Sequence, residues 1–218
     1  MQQVLLLPLS NEGAVKLVAK LKGYVPEWVR IQRIQRDIPA PYIDAGVKKS
    51  NLRQLIEIEM KKHGKKCRCI RCREIGHILL KEKIEIDEEC ITFEKIHYYA
   101  SGGDEIFISL IEKKHGLLIA YLRLRDVIHP HRYELLENPC MIIRELKVLG
   151  RELPIGKKTK EGWQHRGFGK KLLDEAECIC LEEFDKKYIF VLSGVGVKGY
   201  YRKHNFIDNG VYLCKKIK

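Results

Sequence analysis

The run QHRGFGKKLL, residues 164–173, constrains the fold of this chain more than any other. It lies between two β-prone apolar runs, RELKVLG ending at residue 150 and YIFVLSGVG at 188–196. Leu172, Leu173, Ala176 and Ile179 follow it at a spacing near 3.6, so a helix begins at the turn. Gly167 and Gly169 permit backbone conformations and close approaches that a Cβ would block. The free N–H groups of the first helical turn then face outward as an anion seat. The helix dipole strengthens that seat, and Lys170 and Lys171 add charge beside it.

The flanking runs complete a sheet. Residues 89–100, 105–112, 117–126 and 142–150 read as strands, with SGGD at 101–104 as a turn and KKHG as a hairpin connection. GYYRKHNF (199–206) reads as a short helix and VYLCKK (211–216) as a closing strand. Three or four antiparallel strands, then strand–helix–strand–helix–strand, predict a mixed sheet with helices on its faces, an α/β (α+β) fold. Upstream of about residue 84 the pattern is sparser. Asn11 is expected to cap a helix running to Lys22, stopped by Gly23. WVRIQRI (28–34) alternates like a strand, and prolines at 39 and 41 keep DIPAPY extended or turning. Asn51 is expected to cap a second helix, with Gln54 placed for a capping box. This part has few elements and little to bury, as the end of a larger domain would.

Lys and Arg outnumber Asp and Glu by 41 to 29, giving a net charge of +12, which favours a polyanionic partner such as nucleic acid. VLLLPL (4–9) is too short for a signal peptide, and no run is long enough to span a bilayer. A cytoplasmic chain with no membrane partner is expected, and thiols stay reduced there. The eight cysteines therefore read as metal ligands or buried thiols. Cys178, Cys180 and Cys214 are expected to be buried. Cys67, Cys69 and Cys72 form C-x-C-x-x-C and can converge on one ion. Zinc takes four tetrahedral thiolate or imidazole ligands, and a closed set of four is structural. His77 is the expected fourth ligand, with His63, Cys90 and His97 as alternatives. The spacing disfavours an iron–sulfur cluster. Lys65, Lys66, Arg68, Arg71 and Arg73 surround the cysteines, with Arg30, Arg33 and Arg36 upstream. Such residues contact phosphates without reading sequence. Tyr98, Tyr99 and Trp163 are candidates to stack on unpaired bases, with core packing as the alternative for each.

The order strand, Q-x-x-G-x-G, helix, strand resembles the acetyl-CoA-binding core of the GNAT acyltransferase superfamily. The resemblance implies that Gln164, His165, Arg166, Gly167, Phe168, Gly169 and Lys170 hold the CoA pyrophosphate. It also implies that Leu146, Lys147 and Val148 lie along the strand whose backbone pairs with pantetheine. GYYRKHNF is similar to a stretch of that family whose tyrosine protonates the departing CoA thiolate. Tyr201 takes that position, with Tyr200 beside it as a second candidate or as a lining residue. A phenol with a pKa of roughly 10 is protonated at neutral pH, as a general acid must be. Asn205 stands where the family's glycine is usual, and Asn tolerates left-handed conformations. Glu145 is the candidate general base, with solvent or Arg144 as its alternative partner.

RIQRIQRDIPAPYIDAGVKKSNLRQL, CRCIRCREIG, IIRELKVLG, WQHRGFGKKLLDEAE and SGVGVKGYYRKHNF together resemble the Elongator catalytic-subunit family in its archaeal form. That family joins a radical S-adenosylmethionine (SAM) domain to a GNAT-like domain. It modifies C5 of the wobble uridine of tRNA, using acetyl-CoA. The resemblance implies a residual C-terminal part of a radical SAM barrel at residues 1–60, a zinc-binding linker at 61–84 and a GNAT domain at 85–218. The C-x-x-x-C-x-x-C loop that holds a 4Fe-4S cluster is not in the sequence. S-adenosylmethionine and the cluster are therefore not expected on this chain. It is expected to bind acetyl-CoA, zinc and tRNA, and to depend on a radical SAM domain or other Elongator subunits for radical chemistry. A GNAT N-acetyltransferase for protein lysine or a small amine is one alternative. A non-catalytic, zinc-stabilised RNA-binding module is the other.

Overall fold

The computed structural model describes residues 8–35, 38–82, 84–150 and 166–218. The chain divides into two compact units, Met1–Arg73 and Glu74–Lys218. Among the described residues no helix is long and apolar enough to cross a membrane.

The first unit is built on α1 (Asn11–Lys22) and α2 (Leu52–Lys62). Ser10, not Asn11, caps α1: its hydroxyl accepts the Gly13 N–H at 3.1 Å. A short β-carbon hydroxyl one residue upstream reaches the orphan donor that the sequence reading gave to Asn11. Leu52, Ile56 and Met60 recur every four residues along α2 and pack on Ala19 of α1. Val15, Val18, Ile34, Val47 and Cys67 close around them, so this unit has a core of its own. Each such buried aliphatic side chain contributes about 1.5–3 kcal/mol. Asn51 makes no side-chain cap on α2, so the expected capping box is not formed. Residues 28–34 form no strand. The Arg53 guanidinium instead takes the carbonyls of Ile31 and Gln32, both at 3.2 Å, which a partner strand would otherwise have satisfied. The double-proline stretch gives a single 3₁₀ turn at Ala40–Tyr42. A short helix, α3 (Ile70–Arg73), ends the unit.

The second unit opens with α4 (Ile75–Leu79) and holds the sheet. Its strands are β1 (Ile91–Ala100), β2 (Gly103–Glu112), β3 (Leu117–Asp126), β4 (Cys140–Val148), β5 (Tyr188–Val191), β6 (Ile207–Asn209) and β7 (Tyr212–Lys216). They lie in the order β1-β2-β3-β4-β5-β7-β6. All neighbours are antiparallel except β4 and β5. That parallel pair is what the strand–helix–strand reading requires. A short helix, α5 (Tyr133–Leu136), precedes β4. The crossover helix α6 (Phe168–Glu182) buries Leu172, Leu173, Ala176, Ile179 and Cys180 against β2–β5. β2 and β3 are buried almost throughout, the pattern of central strands. β5 ends at Val191, five residues before the apolar run does, and a 3₁₀ turn at Val195–Val197 leads into α7 (Lys198–Arg202). Cys180 and Cys214 are buried as expected, whereas Cys178 is half-buried.

Candidate active site and metal centre

β4 and β5 pair only from Cys140–Ile143 against Tyr188–Val191. Beyond Ile143, β4 keeps its partner β3 and, among the described residues, has none on the other side. A bulge between Arg123 and Leu124 places Arg144 out of register just where the separation begins. The backbone of Leu146, Lys147 and Val148 thus borders an opening in the sheet. A cleft of about 490 Å³ lies there. Leu146 and Val148 line it from β4, and Gly167, Gly169 and Lys170 from the start of α6. Val197, Tyr200, Tyr201 and His204 line it from the opposite wall.

Both glycines of the turn have structural grounds. Gly167 is the N-cap of α6 at φ 79°, left-handed and without a side-chain cap. A Cβ on Gly169 would lie 2.5 Å from the Tyr200 hydroxyl. The first turn of α6 carries no acid, and Lys170 reaches Asp174 at 2.5 Å. Arg166 pairs with Glu88. Phe168 is buried, with Lys171 over its ring at 5.6 Å. Gln164 and His165, as well as Trp163, lie outside the described residues.

The aromatic wall is built of rings packed edge to face. Tyr200 sits edge-on to Tyr201 at 5.3 Å and to His204 at 4.8 Å, and Tyr201 to Phe206 at 5.5 Å. Asn205 adopts φ 67°, the left-handed conformation expected of it. The Tyr200 hydroxyl is buried and has no hydrogen-bond partner among the described residues. Burial, with Asp174 nearby, pushes its pKa up. Tyr201 is 6% exposed, and burial pushes its phenol up to about 12. Both are therefore proton donors at neutral pH. Burial and then Lys170 lower the pKa of His204. The sequence reading had not singled out His204 or Val197. Their signal was position, within or beside the tyrosine stretch.

Glu145 is not among the lining residues of the cleft. Lys147 binds it at 2.6 Å and Arg123 Nε at 2.9 Å, so Arg123 and not Arg144 is its arginine partner. Burial raises its pKa, but hydrogen bonds from Lys147, Tyr121 and Arg123 outweigh that and hold the carboxyl below its ordinary range. Arg144 pairs with the buried Glu105, which Arg125 also binds, at 2.9 Å.

In the first unit the side chains of Cys67, Cys69 and Cys72 bring their sulfur atoms within 4.8 Å of one another. Cys69 is fully buried, and hydrogen bonds from the other two thiols hold its pKa low. The nearly buried Lys22 places Nζ 3.9 Å from Cys72 Sγ. Three soft donors beside a cation suit a thiophilic ion, so this cluster can hold a metal. The other candidate ligands have partners elsewhere. His63 lies 3.3 Å from Glu59, and His77 of the second unit lies 3.8 Å from Glu74. Cys90 donates to Asp87 at 3.3 Å, and His97 lies 3.5 Å from Glu183.

Of the basic residues, Lys65, Lys66, Arg33 and Arg68 are exposed, and Arg30 and Arg71 are half-buried. Arg73 is largely used internally: it binds the Glu27 carboxylate at 3.1 Å, the Glu27 carbonyl at 3.0 Å and the Arg68 carbonyl at 2.9 Å. Arg68 also pairs with Glu27. Arg36 lies outside the described residues. Tyr98 is tied to Glu105 and Arg123, both at 3.3 Å, whereas Tyr99 is 70% exposed.

A mixed sheet that opens between two parallel strands, with a glycine turn capping the crossover helix at the opening, is the α/β arrangement expected from the sequence resemblance to the GNAT core. Residues 2–62 match the Radical_SAM C-terminal domain family. The chain is 50% identical over 209 residues to the tRNA uridine(34) acetyltransferase of Methanocaldococcus jannaschii, covering 95% of itself and 38% of that protein. It is 40% identical to Elongator complex protein 3 of Saccharomyces cerevisiae, over 95% of itself and 37% of that protein. The solved structure of the archaeal Methanocaldococcus infernus Elp3 with an N-terminal deletion superposes with a TM-score of 0.88 at 47% identity, over 96% of this chain and 49% of that one. The chain is thus a homologue of the archaeal tRNA uridine(34) acetyltransferases and of Elongator complex protein 3, and it spans about 38% of the length of the Methanocaldococcus jannaschii relative.

Proposed function

We propose that this chain is the acetyl-CoA-binding, tRNA-directed part of an enzyme that modifies C5 of the wobble uridine. One observation carries the reading: the Tyr200 hydroxyl is buried without a partner among the described residues, and it lies 2.5 Å from where a Cβ on Gly169 would be. A cradle kept open and lined by an unsatisfied donor fits a bound acceptor group, and the CoA pyrophosphate is such a group. Gly167, Gly169, Lys170 and Arg166 would hold it at the start of α6, with Phe168 anchoring the turn. Gln164 and His165 extend the same motif. Leu146, Lys147 and Val148 would offer backbone groups to the pantetheine arm. When bound, acetyl-CoA supplies an activated acetyl group with a thiolate as leaving group. Tyr201, buried and protonated, would give that thiolate its proton, and Tyr200 would donate to the cofactor. For Glu145 to accept a proton, its ion pairs with Lys147 and Arg123 must open. Cys67, Cys69 and Cys72 fit zinc, which would tie residues 67–72 into one rigid turn. Lys65, Lys66, Arg33 and Arg68 would add phosphate contacts to tRNA.

Acetyl-CoA titration by calorimetry, and acetyl-CoA hydrolysis with and without tRNA, test this. Binding, with turnover raised by tRNA, is expected. No affinity for acetyl-CoA would overturn the reading, and acetylation of a lysine peptide without RNA would replace it with a plain N-acetyltransferase.

A further inference from the structure

The first unit holds a second pocket, of about 320 Å³, near the lower end of the range for small-ligand sites. Among the described residues its charged lining is Arg33, Arg53 and Arg71, with no carboxylate. Gln35 and Ser50 complete its polar wall. Arg53 is half-engaged. Its Nη2 holds the carbonyls of Ile31 and Gln32, while its Nη1 is buried without a partner among the described residues. A buried guanidinium N–H left unpaired costs free energy that a bound anion recovers. The pocket also lies at the start of α2, whose first turn has no side-chain cap, so the dipole adds to the same sign. One atom has the opposite need. Gln35 donates its Nε2 to the Lys49 carbonyl at 3.1 Å, which leaves Oε1 as a buried acceptor without a donor among the described residues. Three guanidinium groups and one unsatisfied acceptor match a phosphodiester next to a ribose 2′-hydroxyl.

We propose that this pocket seats one nucleotide of an RNA strand, with Arg53, Arg33 and Arg71 on the phosphate and the Gln35 carboxamide oxygen accepting from the 2′-hydroxyl. The assignment rests on the tRNA reading above and adds to it a place and a chemical group. Arg53 was absent from the basic residues read from the sequence, because an arginine inside a helical pattern looks like a solvated face.

The test uses the whole chain, a tRNA transcript and fluorescence anisotropy across a salt series. Arg53→Gln and Arg71→Gln should each weaken binding about tenfold and make the slope of log affinity against log salt shallower by about 0.7–0.9. Gln35→Leu should reduce the preference for an RNA hairpin over the DNA hairpin of the same sequence. Acetyl-CoA affinity should stay within twofold in all three variants. Arg53 also braces residues 31 and 32, so Arg71→Gln, which removes no backbone contact of that loop, keeps the test open if Arg53→Gln melts early. Wild-type affinity and an unchanged salt slope in both arginine variants would overturn the seat and leave the tRNA reading standing. A wild-type chain that binds no tRNA would overturn both. Displacement of tRNA by millimolar inorganic phosphate alone would show a free-anion site and overturn the RNA assignment.

Discussion

Gly169→Ala and Tyr200→Phe should couple strongly. A Cβ on Gly169 would sit 2.5 Å from the Tyr200 hydroxyl, 3.4 Å from Tyr200 Cζ and 3.7 Å from Leu146 Cδ2. The first contact is well inside van der Waals range and the other two are ordinary. The tyrosine ring cannot swing away cheaply, because Tyr201 and His204 hold it at 5.3 and 4.8 Å. Overpacking of this kind costs about 1–3 kcal/mol. Alanine in a helix gains about 0.5–1 kcal/mol over glycine, so the single variant should lose up to about 2 kcal/mol. Tyr200→Phe removes the offending oxygen together with the desolvation cost of a buried, unpaired hydroxyl, about 1–3 kcal/mol. On that background Gly169→Ala should be neutral or stabilising. The cycle thus predicts a coupling of about 1–3 kcal/mol, read by thermal unfolding, where 1 kcal/mol moves Tm by roughly 2–4 °C at this size. Additivity within about 0.5 kcal/mol would refute the close approach. In the same samples Tyr200→Phe should weaken acetyl-CoA binding about two- to tenfold, the worth of one neutral hydrogen bond.

Tyr201→Phe should lower tRNA-stimulated acetyl-CoA hydrolysis by about 10²- to 10⁴-fold with little change in acetyl-CoA affinity, by steady-state assay and calorimetry. The purified chain should carry one zinc per molecule by elemental analysis, and Cys69→Ser should abolish it, because that sulfur is the fully buried one of the three. His204 titrates below its ordinary 6.5 in the folded chain, chiefly through burial. The unfolded chain therefore takes up the proton first as pH falls. Stability should decline below about pH 6.5, and His204→Gln should flatten that slope in denaturant titrations. A slope unchanged by the substitution would refute the assignment.

The strands read at 89–100, 105–112 and 117–126 and the helix after Gly169 were legible in the sequence, because each is a run of eight or more residues with dense or regularly spaced apolar side chains; the observed strands are Ile91–Ala100, Gly103–Glu112 and Leu117–Asp126. β6 was not, since three residues carry no period. The strand expected at 28–34 failed because alternation shows that a segment suits an edge, not that a partner exists. Arg53, 22 residues from Ile31 and 21 from Gln32, took the backbone groups instead.

The site divides the same way. The glycine turn and the paired tyrosines stand out locally, since each is a short contiguous motif whose residue types admit few chemistries. The sequence alone therefore determined the turn, its helix and the three-cysteine cluster. Tertiary structure decided which tyrosine hydroxyl is left without a partner, that Gly169 answers to Tyr200, and that Glu145 is held by Arg123. It also decided that Arg73 serves Glu27 while Arg53 lines a pocket. These are contacts between residues far apart along the chain, and only packing fixes which buried polar groups find partners and which are left for a ligand.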